Sequence, residues 1–205
     1  MTKILYGTGN PAKLNGMRNT LAPLGIEVIG LNDLSGDLPE IDENGREPLD
    51  NARIKSLAYY KAFKMPVFSL DSGLYFVEDP HLEQPGTYIR RYTGVHMDDD
   101  QMIEHYRCLA KSNGGQIKGQ YINGIVLVLD EDHIYEHQGE DISFKSFYLT
   151  DACHERRVEG FPLNSITKDV ETGEFVYDMK ARKNDGDSQS QAFRNFFKKH
   201  LNLGE

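Results

Sequence analysis

A few short groups of residues carry the chemistry this chain can offer. Thr8, Asn10 and Lys13 surround the turn Gly7-Thr8-Gly9-Asn10-Pro11, setting two polar side chains and one cation at the start of a helix. A helix N-terminus leaves backbone N–H groups without partners and its dipole favours anions, so the group reads as a phosphate cradle. It lacks the Gly-Lys-Ser/Thr ending of a P-loop and the spaced glycines of a dinucleotide turn. An ordinary strand-to-helix turn with a surface lysine explains the same residues, and taken alone it is the better explanation. Asp71-Ser72-Gly73 follows a compact apolar run. A carboxylate at a strand end before Ser-Gly is a common way to present an acid in a cleft. Asn51 and Lys55 are four apart and share one helix face. The acidic stretch Asn32 to Gly45 holds Glu40, Asp42 and Glu43, with Glu47 just beyond it.

These groups need elements to hold them. Ile4-Leu5-Tyr6 reads as a strand and Leu14, Met17 and Leu21 as the apolar positions of a helix that Pro11 opens. Glu27 to Leu31 reads as a second strand, and Pro48 opens a helix with Leu49, Ala52, Leu57 and Ala62 on mixed three- and four-residue spacing. Pro66 to Leu70 predicts a buried strand ending at Asp71. Asp98-Asp99-Asp100 predicts a helix start running to about Lys111, first-turn acids being the usual explanation rather than a metal cluster. The period then becomes two: Tyr121 to Leu129, His133 to His137, Ile142 to Leu149 and Arg156 to Phe161 read as strands, with Phe175 to Tyr177 as a shorter candidate. His133, His137 and His154 show no ligand spacing and read as surface strand residues. Ser188 and Gln191 resemble a capping box opening the last helix. Strands and helices in this order predict an α/β or α+β fold on a mixed twisted sheet.

At 205 residues the chain suits one large domain or two closely packed lobes, and we treat 1–205 as a single domain. Cys108 and Cys153 imply no disulfide framework and have no metal-type neighbours. No apolar run approaches spanning length and no signal pattern opens the chain, so no membrane partner and a cytoplasmic location are expected. A formal charge of −9 argues against nucleic-acid backbone binding, yet permits a small polyanion wherever local cations or a divalent metal offset it.

Four motifs recur in one order: Thr8-Gly9-Asn10-x-x-Lys13, then Gly45 with Asp50-Asn51-Ala52-x-x-Lys55, then Asp71-Ser72-Gly73-Leu74, then Pro85-Gly86-x-Tyr88-x-x-Arg91-Tyr92. Together they resemble the inosine triphosphate pyrophosphatase family, which hydrolyses aberrant purine nucleoside triphosphates to monophosphate and pyrophosphate. The resemblance runs from Ile4 to about Leu201 and weakens along the chain. Asp50 stands for the usual glutamate, and Leu70 for the acid that often precedes Asp71. Gly160-Phe161 begins the family's later motif and then departs from it. Asp187-Ser188-Gln189 stands where the family's Ser-His-Arg reads a 6-oxo purine edge.

The resemblance implies an elongated central sheet, two lobes around a nucleotide cleft, a homodimer and Mg2+. It implies Asp71 as catalytic residue and metal ligand, with Asp42 or Glu43 completing the metal set and Asp42 favoured by register. Thr8, Asn10, Lys13 and Lys55 would hold phosphates with Ser72 assisting. Phe161 would stack on the base, Lys183 would meet phosphate or base, and Gln189 would offer its amide to the base edge. The expected activity is Mg-dependent hydrolysis of triphosphates such as ITP, XTP and dITP. The alternatives are the same chemistry on a pyrimidine or another modified nucleotide, and a nucleotide-binding protein without turnover. Asp71 speaks against the last, because binding alone needs no carboxylate beside a triphosphate.

Overall fold

The computed structural model describes residues 2–79, 81–179 and 185–203. Its sheet follows the order β2-β1-β3-β4-β6-β7, with β5 also paired to β4. The strands are β1 (Thr2–Tyr6), β2 (Ile26–Gly30), β3 (Val67–Phe76), β4 (Gln116–Val128), β5 (Ile134–Gln138), β6 (Phe147–Thr150) and β7 (Thr167–Asp169). The helices are α1 (Pro11–Leu21), α2 (Pro48–Phe63), α3 (Asp99–Ser112) and α4 (Asp185–His200). β1 runs parallel to β2 and β3, whereas β4 is antiparallel to β5 and β6. The sheet is therefore mixed, as expected of α/β composition.

The chain divides into two compact units. The first comprises Met1–Ser72, Ile122–Ser143 and Asn184–Glu205; the second comprises Gly73–Tyr121 and Phe144–Lys183. In the first unit the sheet carries a core on each face. Ile4, Tyr6, Phe68 and Leu70 join Met17 and Leu21 of α1 and Phe193 and Phe197 of α4. Leu5, Val67 and Val126 join Ala52 and Tyr59 of α2 on the opposite face. Alternate strand residues point to opposite faces, which is why β1 and β3 feed both cores. In the second unit Leu74 and Phe76 pack with Met102, Ile103 and Tyr106 of α3 and with Phe147 and Leu149 of β6.

Local signals explain the starts of three helices. Pro11 and Pro48 stand at the first turns of α1 and α2, where a missing N–H costs nothing. Asp98 caps α3: its carboxylate accepts from the Gln101 N–H, and the Gln101 side chain accepts from the Asp98 N–H. The Asp98 to Asp100 run thus serves the helix start.

Several expectations need correction. β3 does not end at Asp71; it continues through Gly73 to Phe76, because the chain resumes its apolar alternation at Leu74 and Phe76. Residues 156–161 form no strand; Arg156 and Arg157 are exposed, and a short 3-10 turn, Pro162–Ile166, follows. Phe175 makes an isolated bridge to Lys168 instead of a strand. β6 begins at Phe147, five residues later than expected. α4 begins at Asp185, so Ser188 lies inside the helix and is not its cap. His133 and His137 do lie on or beside β5, paired with Asp130 and Asp141, while His154, in a non-strand segment, pairs with Asp178. The Tyr121 ring lies 5.2 Å from that of Phe147, and Phe144 is 49% exposed.

Candidate active site

Strand parity and helix period together build the site in the first unit. On β3, Val67, Ser69 and Asp71 share the face that packs against α2, while Phe68 and Leu70 point to the other core. Leu70, standing where the resembled family often has a second acid, is 8% exposed and belongs to that core. On α2, Asn51 and Lys55 are one turn apart and reach Asp71 together. The Lys55 ammonium donates to Asp71 Oδ1 at 2.8 Å and to Glu43 Oε2 at 3.0 Å. Asn51 Nδ2 donates to Asp71 Oδ2 at 3.1 Å, so both carboxylate oxygens of Asp71 are held.

Asn51 is itself anchored. Its side-chain oxygen accepts the Gly45 N–H at 2.8 Å. A Cβ on residue 45 would lie 2.7 Å from that oxygen and 2.6 Å from the Asp50 Cβ, so this approach requires glycine. Asn51 is not among the site residues that the resemblance implies, although its four-residue spacing from Lys55 is the signal that places it there. It is a positioning residue for Asp71.

The phosphate cradle takes a specific form. Asn10 caps α1, its side-chain oxygen accepting the N–H groups of Ala12 and Lys13 at 2.9 and 3.1 Å. Thr8 Oγ1 accepts the Asn10 N–H at 3.2 Å. Two of the helix donors are therefore already used, and the turn is pre-shaped. Burial lowers the Lys13 pKa most strongly; Asp71 and Glu43 oppose that and Lys55 reinforces it. For Lys55, burial is the largest single influence and works downward, but Asp71 and Glu43 together outweigh it and the pKa is raised. Tyr6 beneath them is raised by burial first and then by Asp71.

Of the expected metal ligands, Glu43 and Asp71 converge on one ammonium. Asp42 is exposed and accepts from Asn44 Nδ2 at 3.1 Å. Ser72, next to Asp71 on a continuous strand, projects to the opposite face. Gln189 donates from Nε2 to the Ile142 carbonyl at 2.8 Å. Phe161 belongs to the second unit, its N–H donating to the Val158 carbonyl at 3.0 Å. Lys183 lies outside the described residues.

The family model of Ham1 matches residues 4–147, which include every residue of this cluster. The chain belongs to the Ham1 family. Relatives named dITP/XTP pyrophosphatase include that of Bradyrhizobium diazoefficiens, 33% identical over 138 residues, or 65% of this chain and 64% of the relative. A Thermus thermophilus protein of the same name is 30% identical over 139 residues, 67% of this chain and 64% of the relative. The chain thus spans 64% of the length of these curated relatives. Among solved structures, the Staphylococcus aureus Ham1 protein superposes with a TM-score of 0.71 at 21% identity, covering 97% of this chain and 99% of that one. A HAM1 protein from Coxiella burnetii gives 0.72 at 19% identity, covering 97% and 100%. These likenesses establish a shared fold. The Ham1 match ends at Phe147, ahead of Phe161, Lys183 and Gln189. Among the described residues no helix is long and apolar enough to cross a membrane.

Proposed function

We propose that this Ham1-family chain hydrolyses nucleoside triphosphates at the α-phosphorus, yielding monophosphate and pyrophosphate, with Mg2+ as cofactor. The observation that carries the reading is the convergence of Lys55, Glu43 and Asp71. The relatives' name, dITP/XTP pyrophosphatase, supports purine substrates such as XTP and dITP, and the resemblance adds ITP. A homodimer in the cytoplasm, implied by the resemblance, completes the proposal.

A triphosphate carries about four negative charges, so the protein must neutralise charge and position water. Lys13 and Lys55 supply cations, and Thr8 and Asn10 supply polar atoms at the pre-shaped turn. Asp71, held by Asn51, takes the proton from the attacking water and orients it. The donor set suits a hard divalent ion, since Glu43 and Asp71 offer carboxylate oxygens and magnesium uses one or two carboxylates plus substrate phosphates. When bound, the ion would add charge neutralisation at the phosphates. Asp42, one residue from Glu43, would add a third carboxylate to that set.

A second reading keeps the chemistry and changes the base. It is favoured by the end of the Ham1 match at Phe147 and by Gln189, whose amide N–H is given to Ile142. Its second amide N–H and its carbonyl oxygen are then left to face a base edge. The test is product analysis with magnesium across ITP, XTP, dITP and the common ribo- and deoxyribonucleotides. Pyrophosphate released preferentially from ITP, XTP and dITP supports the first reading, and preference for another base supports the second. Inorganic phosphate as the product, or binding without turnover on every nucleotide, overturns both.

A further inference from the structure

Glu43 lies on the loop before α2, Asp71 on β3 and Lys55 on α2, and the lysine ammonium stands 3.0 and 2.8 Å from the two carboxylates. We propose that Lys55 is a built-in counter-cation. It holds Glu43 and Asp71 together in the ligand-free protein and yields those oxygens to a divalent ion as it moves to the phosphates. The inference rests on the pyrophosphatase reading and deepens it.

Two side chains of the trio are largely buried, Lys55 at 12% and Asp71 at 14% exposure, and Glu43 is 38% exposed. Acids brought this close without a cation repel each other, so some positive charge has to occupy the point where their oxygens meet. The ammonium occupies it here. A divalent ion using the same oxygens competes with the ammonium for them.

The three partners differ in freedom to move. Asp71 is pinned at its second oxygen by Asn51, which Gly45 anchors in turn. Lys55 ends a flexible four-carbon stem with three rotatable donors, a point charge that can change partners without the fixed fork an arginine would need. The carboxylate stays and the lysine leaves.

Charge balance sets the order of events. Lys55 pairs with Glu43 and Asp71, and Lys13 feels the charges of all three, so two cations and two anions act on one another. A divalent ion arriving alone adds positive charge to a balanced site, whereas an ion arriving with a triphosphate brings net negative charge that the freed Lys55 and Lys13 can meet. Metal and nucleotide therefore bind together, each weakly without the other.

Manganese titration followed by electron paramagnetic resonance, with no nucleotide, tests this. Lys55→Met and Lys55→Gln should each bind Mn2+ more tightly than the wild type, by about tenfold or more, the scale of one nearby charge in a half-buried site. The tightening of Mn2+ binding by a non-hydrolysable triphosphate should shrink in both variants. Equal or weaker Mn2+ binding in the variants overturns the proposal. If the variants unfold, the side-chain ammonium resonance of Lys55 is followed by 15N NMR in wild-type protein during a Mg2+ titration. It should shift in step with saturation, and a resonance that stays fixed at saturation overturns the exchange. Pyrophosphate release by the wild type is measured separately. Failed exchange with intact release discards this inference alone, and intact exchange without release discards the hydrolytic reading.

Discussion

The Lys55 ammonium lies 2.8 Å from Asp71 Oδ1, with both side chains less than one-sixth exposed. A buried ion pair rarely stabilises a fold more than apolar residues of the same volume would, because desolvation offsets most of the attraction. Strand parity turns Asp71 toward α2 and helix period brings Lys55 and Asn51 to it, so two elements agree on an arrangement that stability alone does not demand. Such local conflicts mark functional sites.

Lys55→Met leaves Asp71 without its cation and should cost about 3 kcal/mol. Lys55→Met combined with Asp71→Asn should cost clearly less than the two single changes added together. Urea unfolding of the four proteins measures the coupling. Additive losses would mean that the two groups do not interact.

Lys13 should show the opposite balance between stability and function. Burial opposes its charge, so Lys13→Met should unfold at the same or higher urea concentration than the wild type. The same change should lower kcat/KM by about tenfold to a hundredfold, the range for one lost charge-assisted hydrogen bond. Paired unfolding and turnover measurements check both signs.

Gln189 and Asn123 both donate to the Ile142 carbonyl, at 2.8 and 2.7 Å. Gln189→Ala should therefore cost only about 1 kcal/mol, since Asn123 still satisfies that carbonyl, and Asn123→Ala should cost more. Gln189→Ala should also alter the preference among bases. Equal losses on every nucleotide would assign Gln189 to the fold alone.

His200 supplies a pH dependence. Its ring stacks on Tyr135 at 4.1 Å and meets Phe196 edge-on at 4.8 Å. Its pKa is lowered from 6.5 by burial first, then by Lys199 and His137. The unfolded chain therefore takes up the proton before the folded one as pH falls. The native state loses stability from near pH 6.5 down to the lowered folded value, and below that the loss is constant. His200→Gln should flatten that decline while leaving the slope at alkaline pH unchanged, as read from melting temperatures across the range.

Much of this was legible in the residues. The apolar run Ile4-Leu5-Tyr6, Pro11, Pro48 and the Asp98 cap fix their elements through local chemistry, and the structure keeps them. Asp71, Lys55 and Lys13 were nameable because spacing and residue type coincided. The continuation of β3 through Asp71 was hidden, because Asp-Ser-Gly has the composition of a turn while the neighbouring strand supplies the pairing. The family register favours Asp42, whereas the fold brings its neighbour Glu43 to Lys55, a distinction that residue types in a row of loop acids do not carry. The start of α4 ahead of Ser188 likewise depends on tertiary packing, not on the capping pattern written locally.

The most direct test of the central claim is pyrophosphate release with Mg2+ by wild-type protein and by Asp71→Asn. The wild type should release pyrophosphate from ITP, XTP or dITP. The variant should fall by about a hundredfold to ten-thousandfold, the usual worth of a positioned general base, with nucleotide binding still detectable. Near wild-type turnover in Asp71→Asn would contradict the account.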